Sequence, residues 1–336
     1  MPKISEMSDI SYPSLDDELY IISGGSSYAI SARKVFGNFL PGVCGGRLTT
    51  ETAVPISTSD RATQSTIYFT PYDNSPFAGH ITLFDATRWS LSSFSELSLS
   101  LSGLSGDTNY DLFVWSNAGT ITLSKGPAWS SATSRGTGAG TTELVKQNGI
   151  WLNKFDISSG PNANTGKYVG SFRASAATTT EDTDAKRFVW NNYNRVKRRL
   201  KKTDTTNSWT STDATFHTWN GVGNRVEFIL GHSLDQIVLQ FLSNTSDSVG
   251  NTSIGLGIGL DSTTSNSADI YPGLAPAFIT LTTILDTLTA FYESYPGIGY
   301  HYLQLLEVAG GLGTTTFYGD NNQTFMQGGA LGYLYG

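Results

Sequence analysis

The chain has 336 residues and a formal net charge of −7, with 38% hydrophobic and 15% charged residues. This length allows two or three domains with sizeable cores, whereas the acidic balance argues against a general nucleic-acid binder, which needs a basic surface. The 36 glycines, with abundant Ser, Thr and Asn, favour short strands and polar turns over long helices. We therefore expect an all-β protein.

The N-terminal region predicts a hairpin followed by a helix. Glu18 to Ser23 (ELYIIS) has the composition of a strand, residues 24–26 (GGS) that of a tight turn, and Ser27 to Ser31 (SYAIS) that of the returning strand. Ser31 is placed to cap a short helix over Ala32 to Phe36, which Gly37 would end. An isolated hairpin is marginally stable in water, so we expect this segment, residues 1–38, to dock on another chain. The expected docking residues are Ile4, Met7, Leu19, Ile21, Ile22, Tyr28 and Ile30.

The next residues predict a linker over 39–48 and a first β-domain over 49–184. Pro41 and the glycines around Cys44 interrupt regular structure. Cys44 is the only cysteine, so the chain forms no intrachain disulfide, and we expect no cysteine-based zinc site. Strands are expected at 66–70, 81–84, 89–91, 94–101, 110–115, 120–123, 150–153 and 167–174. Ser130 to Thr142 is expected to be an exposed loop, either a contact tip or simply solvated.

Residues 185–336 predict a second antiparallel β-sandwich, resembling a jelly roll. Strands are expected at 226–230, 236–242, 252–260, 278–285 and 300–306. Ile284 to Tyr292 fits either a strand or a short helix, because its apolar residues do not alternate cleanly. No run of 18 apolar residues and no N-terminal secretion signal is present in the sequence, so we expect no membrane association.

Three parts of the chain resemble structural proteins of tailed-bacteriophage particles. The N-terminal residues KISEM, DDELYII, GG and YAI resemble the segment that opens many tail fibres, tail spikes and head fibres. Residues 186–220 (KRFVWNNYNRVKRRLKKTDTTNSWTSTDATFHTWN), 224–231 and 300–320 are similar to segments that recur in phage structural and tail-fibre-like proteins. The resemblance implies a fibre-like appendage.

This resemblance carries several functional expectations. It implies that the N-terminus docks on other virion proteins of the tail, neck or capsid, that the chain is a homotrimer assembled in the bacterial cytoplasm, and that the appendage contacts a host-surface glycan or protein. One alternative is a capsid- or neck-attached fibre or tail adaptor without host contact. Another is a spike that depolymerises polysaccharide, which needs paired carboxylates across a groove. The resemblance transfers no active-site motif, so we expect no enzyme.

Two patterns in the second half suggest interaction surfaces. Gly255, Gly257 and Gly259 alternate with aliphatic residues, which favours close approach by another backbone, either at a subunit interface or against aromatic rings within the chain. Residues 195–202 (RVKRRLKK) form a local basic run. This run fits a strand with an exposed basic face; anion binding and pairing with a neighbouring acidic chain are alternatives.

No recognisable metal-ligand, phosphate-loop or nucleophile motif is present, and we expect no cofactor. The histidines are His80, His217, His232 and His301. The acids considered for glycoside cleavage are Asp261, Asp269, Glu293, Glu307 and Asp320, which we expect to be surface residues. Trp129, Trp209 and Trp219 lie in polar stretches, so they are candidates for ligand contact, the alternative being core packing.

Overall fold

The computed structural model describes residues 18–23, 26–249, 254–267, 270–271, 286–324 and 327–336. Within these ranges the regular structure is strand apart from one helix, α1 (Ala32–Phe39). No helix in the described ranges is long and apolar enough to cross a membrane. The all-β class is confirmed.

The strands follow one another at short intervals, as the turn-rich sequence predicts. The N-terminal strands are β1 (Glu18–Ser23) and β2 (Ser26–Ser31). Those before residue 185 are β3 (Gly46–Thr49), β4 (Arg61–Gln64), β5 (Thr66–Pro71), β6 (His80–Phe84), β7 (Trp89–Ser93), β8 (Leu97–Ser100), β9 (Asn109–Asn117), β10 (Thr120–Ala128), β11 (Leu144–Gln147), β12 (Ile150–Asn153), β13 (Lys167–Arg173) and β14 (Thr180–Asp182).

The remaining strands form most of two large sheets. They are β15 (Lys186–Arg187), β16 (Val189–Asn191), β17 (Lys197–Thr203), β18 (Ser208–Ser211), β19 (His217–Thr218), β20 (Arg225–Leu230), β21 (Ile237–Asp247), β22 (Gly255–Leu260), β23 (Ile270–Tyr271), β24 (Asp286–Ser294), β25 (Gly299–Val308), β26 (Thr315–Tyr318) and β27 (Gly329–Tyr335).

Three large sheets and three small ones organise these strands. Sheet A has the order β10-β9-β13-β12-β11, with β16 beside β13. Sheet B has the order β19-β25-β20-β15-β14-β4, with β22 beside β25. Sheet C has the order β17-β27-β21-β24-β23, and β26 bridges β21 and β18. The small sheets are β3-β5-β8, β6-β7 and β1-β2.

Sheet B crosses the predicted boundary between residues 184 and 185. Its strands β4 and β14 precede that boundary, whereas β15, β20, β25, β19 and β22 follow it. The antiparallel pair β14-β15 crosses this boundary, and β15 continues the sheet by pairing in parallel with β20; the other pairings among the described strands are antiparallel. The two halves of the chain therefore share one hydrogen-bonded sheet.

The core has two parts. Sheets B and C pack face to face around fully buried side chains such as Phe228, Ile258 and Leu305 from sheet B and Leu239 and Phe241 from sheet C. The second cluster lies between sheet A and the small sheets β3-β5-β8 and β6-β7. This arrangement is the layered packing expected of β-sandwiches.

The hairpin, helix α1 and the segment 284–292 were each predicted from the sequence. The hairpin strands lie where the sequence placed them, but the helix runs to Phe39, so the prediction that Gly37 ends it is wrong. The described part of 284–292 is a strand, β24, and not a helix. The predicted strand at 278–285 lies outside the described residues, as do 252–253 of the strand predicted at 252–260.

Candidate functional sites

The N-terminal hairpin is a two-stranded ribbon that stands apart from the larger sheets. Its register pairs Leu19 with Ile30 and Ile21 with Tyr28, and among the described strands β1 and β2 pair only with each other. Tyr28 on β2 is 59% exposed and Ile30 is partly buried. Of the other expected docking residues, Ile4 and Met7 lie outside the described residues, and Leu19, Ile21 and Ile22 are described by backbone alone.

Helix α1 joins this ribbon to the body by packing on β7. A Cβ placed on Gly37 would lie 2.6 Å from the Trp89 carbonyl oxygen, so only glycine allows the helix to approach so closely. Asn38 Oδ1 accepts a hydrogen bond from the Trp89 amide at 3.3 Å, and Arg33 donates to the Leu91 carbonyl at 3.4 Å. These contacts explain why α1 continues through Gly37.

A buried lysine fixes the segment that follows α1. The Lys167 ammonium, fully buried, donates to the carbonyl oxygens of Val43 at 2.6 Å, Pro41 at 3.0 Å and Thr82 at 3.2 Å. Burial lowers the pKa of Lys167 to about 8. Cys44 is itself buried, and burial raises the pKa of its thiol to about 11. The predicted linker is therefore clamped to sheet A in this region.

Arg135 anchors the predicted loop 130–142. Its guanidinium donates to Asp111 at 2.6 Å and to the Tyr168 hydroxyl at 2.9 Å, and it lies 4.4 Å from the centroid of the Trp129 ring. The Asp111 carboxylate is buried and also accepts a hydrogen bond from Ser171 at 2.6 Å. The loop is exposed along much of its length, as predicted, but a buried ion pair holds its centre in place.

Glu307 forms a buried polar cluster between sheets B and C. It lies on β25 and is 2% exposed, so the prediction that it is a surface acid is wrong. Trp209, on β18, donates its indole N–H to both carboxylate oxygens, at 3.1 and 2.9 Å. His217 Nε2 lies 3.1 Å from Glu307 Oε1. Burial raises the pKa of Glu307 to about 7.

The hydrogen-bond partners of His217 show which of its ring nitrogens carries a proton and that its contact with Glu307 needs a second one. His217 Nδ1 lies 2.9 Å from the Thr215 carbonyl oxygen, which can only accept, so Nδ1 carries a proton. In a neutral imidazole Nε2 is then an acceptor, and it faces a carboxylate oxygen of Glu307. The contact is favourable only when Glu307 is protonated or His217 is cationic. The pair therefore shares a proton.

This cluster lacks the geometry of a nucleophilic triad. Ser211 Oγ lies 3.2 Å from His217 Nε2, the same nitrogen that contacts Glu307. In a Ser-His-acid triad the hydroxyl and the carboxylate contact opposite ring nitrogens. The arrangement instead makes Glu307 a proton-dependent link between the two sheets.

The outward face of sheet C carries exposed tyrosines beside a basic strand. We call this the tyrosine face and define it by Lys197, Arg199, Tyr295, Leu331, Tyr333 and Tyr335. Lys197, Arg199 and Lys201 alternate on β17 with the inward Arg198 and Leu200, so the predicted strand with an exposed basic face is present. Two neighbouring grooves, of about 420 and 470 Å³, lie on this face.

The alternation on β27 places large side chains on the tyrosine face. Leu331 is 58% exposed and Tyr335 is 50% exposed, whereas Leu334 is buried. These residues were not singled out from the sequence. The signal was present in GALGYLYG, where apolar side chains occupy both alternating sets of positions and a half-buried strand would show polar residues in one.

Of the three tryptophans predicted to contact a ligand, two are buried and one packs at the edge of the core. Trp219 is fully buried and Trp129 nearly so, whereas Trp209 is partly buried and packs edge-on against Trp219, with centroids 4.9 Å apart. Burial therefore contradicts the ligand-contact prediction for Trp129 and Trp219, whereas for Trp209 it stays a prediction. Polar flanking residues do not predict that a tryptophan is exposed, because a short strand directs every second side chain inward whatever its neighbours in sequence are.

The glycine stripe has an intramolecular cause. Gly255, Gly257 and Gly259 on β22 are buried within the chain, which contradicts a subunit interface at this strand. A Cβ on Gly257 would lie 1.7 Å from Asn266 Oδ1, and one on Gly259 would lie 2.3 Å from the Ser262 carbonyl oxygen. The chain's own loop after β22 fills this space, and not the aromatic rings that the alternative prediction named.

The described residues contain no cluster of three or more His, Cys, Asp or Glu side chains that could hold a metal ion. Among the histidines, His301 contacts Asp261 at 2.8 Å and His232 contacts Asn192 at 2.8 Å. Asp269 lies outside the described residues, and Glu293 is exposed and accepts a hydrogen bond from Gln236.

Comparisons with known proteins give only distant likenesses. No family model and no curated protein matches the chain. Among solved structures it is similar to the Cry8Ea1 insecticidal δ-endotoxin of Bacillus thuringiensis (10% identity, 96% of this chain, 60% of that chain, TM-score 0.22). It is also similar to a structure of infectious bursal disease virus, Gx strain (11% identity, 91% of this chain, 82% of that chain, TM-score 0.24). The chain thus spans less than two thirds of the length of the Cry8Ea1 chain.

Proposed function

We propose that this chain is a structural appendage of a tailed-phage particle, anchored by its N-terminal hairpin and used in attachment to the host. The observation that carries the proposal is the isolated ribbon β1-β2, which pairs with no other described strand. A two-stranded ribbon has little stability alone in water, and pairing with another chain would supply what it lacks.

Helix α1 and the Lys167 clamp support this role. The helix contacts β7 through Gly37, and the clamp fixes residues 41–43 immediately afterwards. An anchor has to transmit force between the protein on which it docks and the rest of the chain. A rigid connection does this better than a flexible linker. Docking on a tail, neck or capsid protein, and a trimeric assembly, are the partner and the oligomeric state that the sequence resemblance implies.

The test removes the hairpin and leaves the body intact. Particles that lack the gene product would be incubated with the full chain or with residues 32–336, which keep α1 and the clamp. We expect only the full chain to co-sediment with particles, while both fold, as judged by circular dichroism. Equal co-sedimentation of the two would contradict the anchor assignment.

A further inference from the structure

The tyrosine face places the cations of β17 in rows with the tyrosine rings of β27. The register places Lys197 opposite Tyr335, and Arg199 opposite Tyr333, which is itself opposite Val238 on β21. Neighbouring strands lie about 4.8 Å apart, and successive outward rows lie roughly 6.8 Å apart along a strand. One groove lies along these rows, and the second, beside Tyr295 and Tyr335, also contains the ion pair of Arg195 with Asp235. Such a surface suits an extended ligand that contacts several rows at once.

The cations of this face lie along one side of it. The Lys197 ammonium lies 3.7 Å from the centroid of the Tyr333 ring, Arg199 is paired with Asp184, and Lys201 is exposed. On the opposite side Glu293 is exposed and accepts a hydrogen bond from Gln236 at 2.7 Å. Because Asp184 balances the charge of Arg199, the net positive charge of the β17 side comes from Lys197 and Lys201, and it favours an anionic ligand there.

We propose that the tyrosine face binds an anionic polysaccharide. Tyrosine presents an apolar ring with a hydroxyl at its edge, a combination that suits sugar rings, whose faces are apolar and whose edges are polar. Charged and amide side chains interrupt the apolar lining of both grooves, which suits a polar polymer better than the apolar core of a protein interface would. The proposal rests on the proposed host-attachment role only for its biological setting.

Binding of the isolated full chain to polygalacturonate tests this proposal by calorimetry, with neutral dextran and polyglutamate as comparison polymers. We expect polygalacturonate to bind, binding to weaken as salt is raised from 50 to 300 mM, and dextran and polyglutamate to bind at least fivefold more weakly. Tyr335→Ala and Lys197→Ala should each weaken binding at least fivefold.

Two matched variants serve as controls. Tyr20→Ala removes an exposed tyrosine from the hairpin, and Lys146→Ala removes a cation that lies 4.5 Å from the centroid of the Trp151 ring, away from this face. Both should bind like the wild type. Absence of binding to polygalacturonate, equal loss in the controls, or equal binding to polyglutamate would overturn the proposal; the last result would assign the face to acidic proteins. None of these outcomes bears on the hairpin, which the particle experiment tests separately.

Discussion

Replacing Glu307 by glutamine should make the protein more stable at alkaline pH. The glutamine amide oxygen can accept the Trp209 indole N–H, and its amide N–H can donate to His217 Nε2, so the hydrogen bonds survive. What disappears is the carboxylate, whose ionisation in a buried site opposes folding. The expected gain is therefore electrostatic and depends on pH.

The size of the gain follows from the pKa of Glu307. That pKa is raised from 4.5 to about 7 in the folded chain. A carboxyl with a raised folded pKa contributes stability that is fully present below its unfolded pKa and is lost as pH rises through the folded value. The resulting loss in the free energy of unfolding is about 1 kcal/mol at pH 5.5 and about 3 kcal/mol at pH 8.5. The variant should thus gain about 2 kcal/mol on the wild type between these two pH values.

Urea unfolding at pH 5.5 and pH 8.5, followed by tryptophan fluorescence, measures this difference. The double difference between variant and wild type cancels the titrating groups that do not contact Glu307, so it reports on Glu307 and its partner His217 together. Trp209→Phe is the companion variant: it removes a hydrogen bond that favours the ionised carboxylate, so the pKa of Glu307 should rise further. The loss of stability between pH 5.5 and pH 8.5 should therefore be larger in this variant than in the wild type. A Glu307→Gln effect that is equal at both pH values would refute the reasoning.

Three further predictions concern packing. Gly37→Ala should raise helix propensity yet destabilise the chain by about 1–3 kcal/mol, because its Cβ would meet the Trp89 carbonyl, while Gly223→Ala, with open space around it, should be nearly neutral in urea unfolding. Lys167→Met should raise hydrogen exchange of the amides at residues 43–45 at least tenfold and leave sheet C unchanged, since three carbonyls lose their donor. Gly257→Ala should lower the free energy of unfolding by about 1–3 kcal/mol without changing the sedimentation coefficient; altered oligomerisation would contradict the intramolecular packing of that strand.

The local features of the fold were predictable from the sequence. Alternating apolar residues and turn chemistry located strands such as β5, β9, β13 and β25. The hairpin followed from the same reasoning, because glycines at 24–25 separate two strand-forming segments. These features depend on neighbours within about ten residues, so one sequence is enough to indicate them.

The long-range features were not predictable. Sheet B joins β4 to β20 and β25 through residues more than 100 positions apart, and no local pattern encodes that pairing. In the sequence Glu307 resembles a surface acid. In the fold, β18 places Trp209 against it, where the indole N–H donates to its carboxylate. Likewise Arg135 lies in a polar loop, and only its contact with Asp111 makes it an anchor.

Chemical cross-linking of lysines in intact particles tests the central claim most directly. Lys34 lies on α1 next to the hairpin, whereas Lys197 and Lys201 lie on the tyrosine face. If the hairpin is the anchor, mass spectrometry should find cross-links from Lys34 to another virion protein and none from Lys197 or Lys201. Cross-links to virion proteins from the tyrosine face, with none from Lys34, would contradict the account.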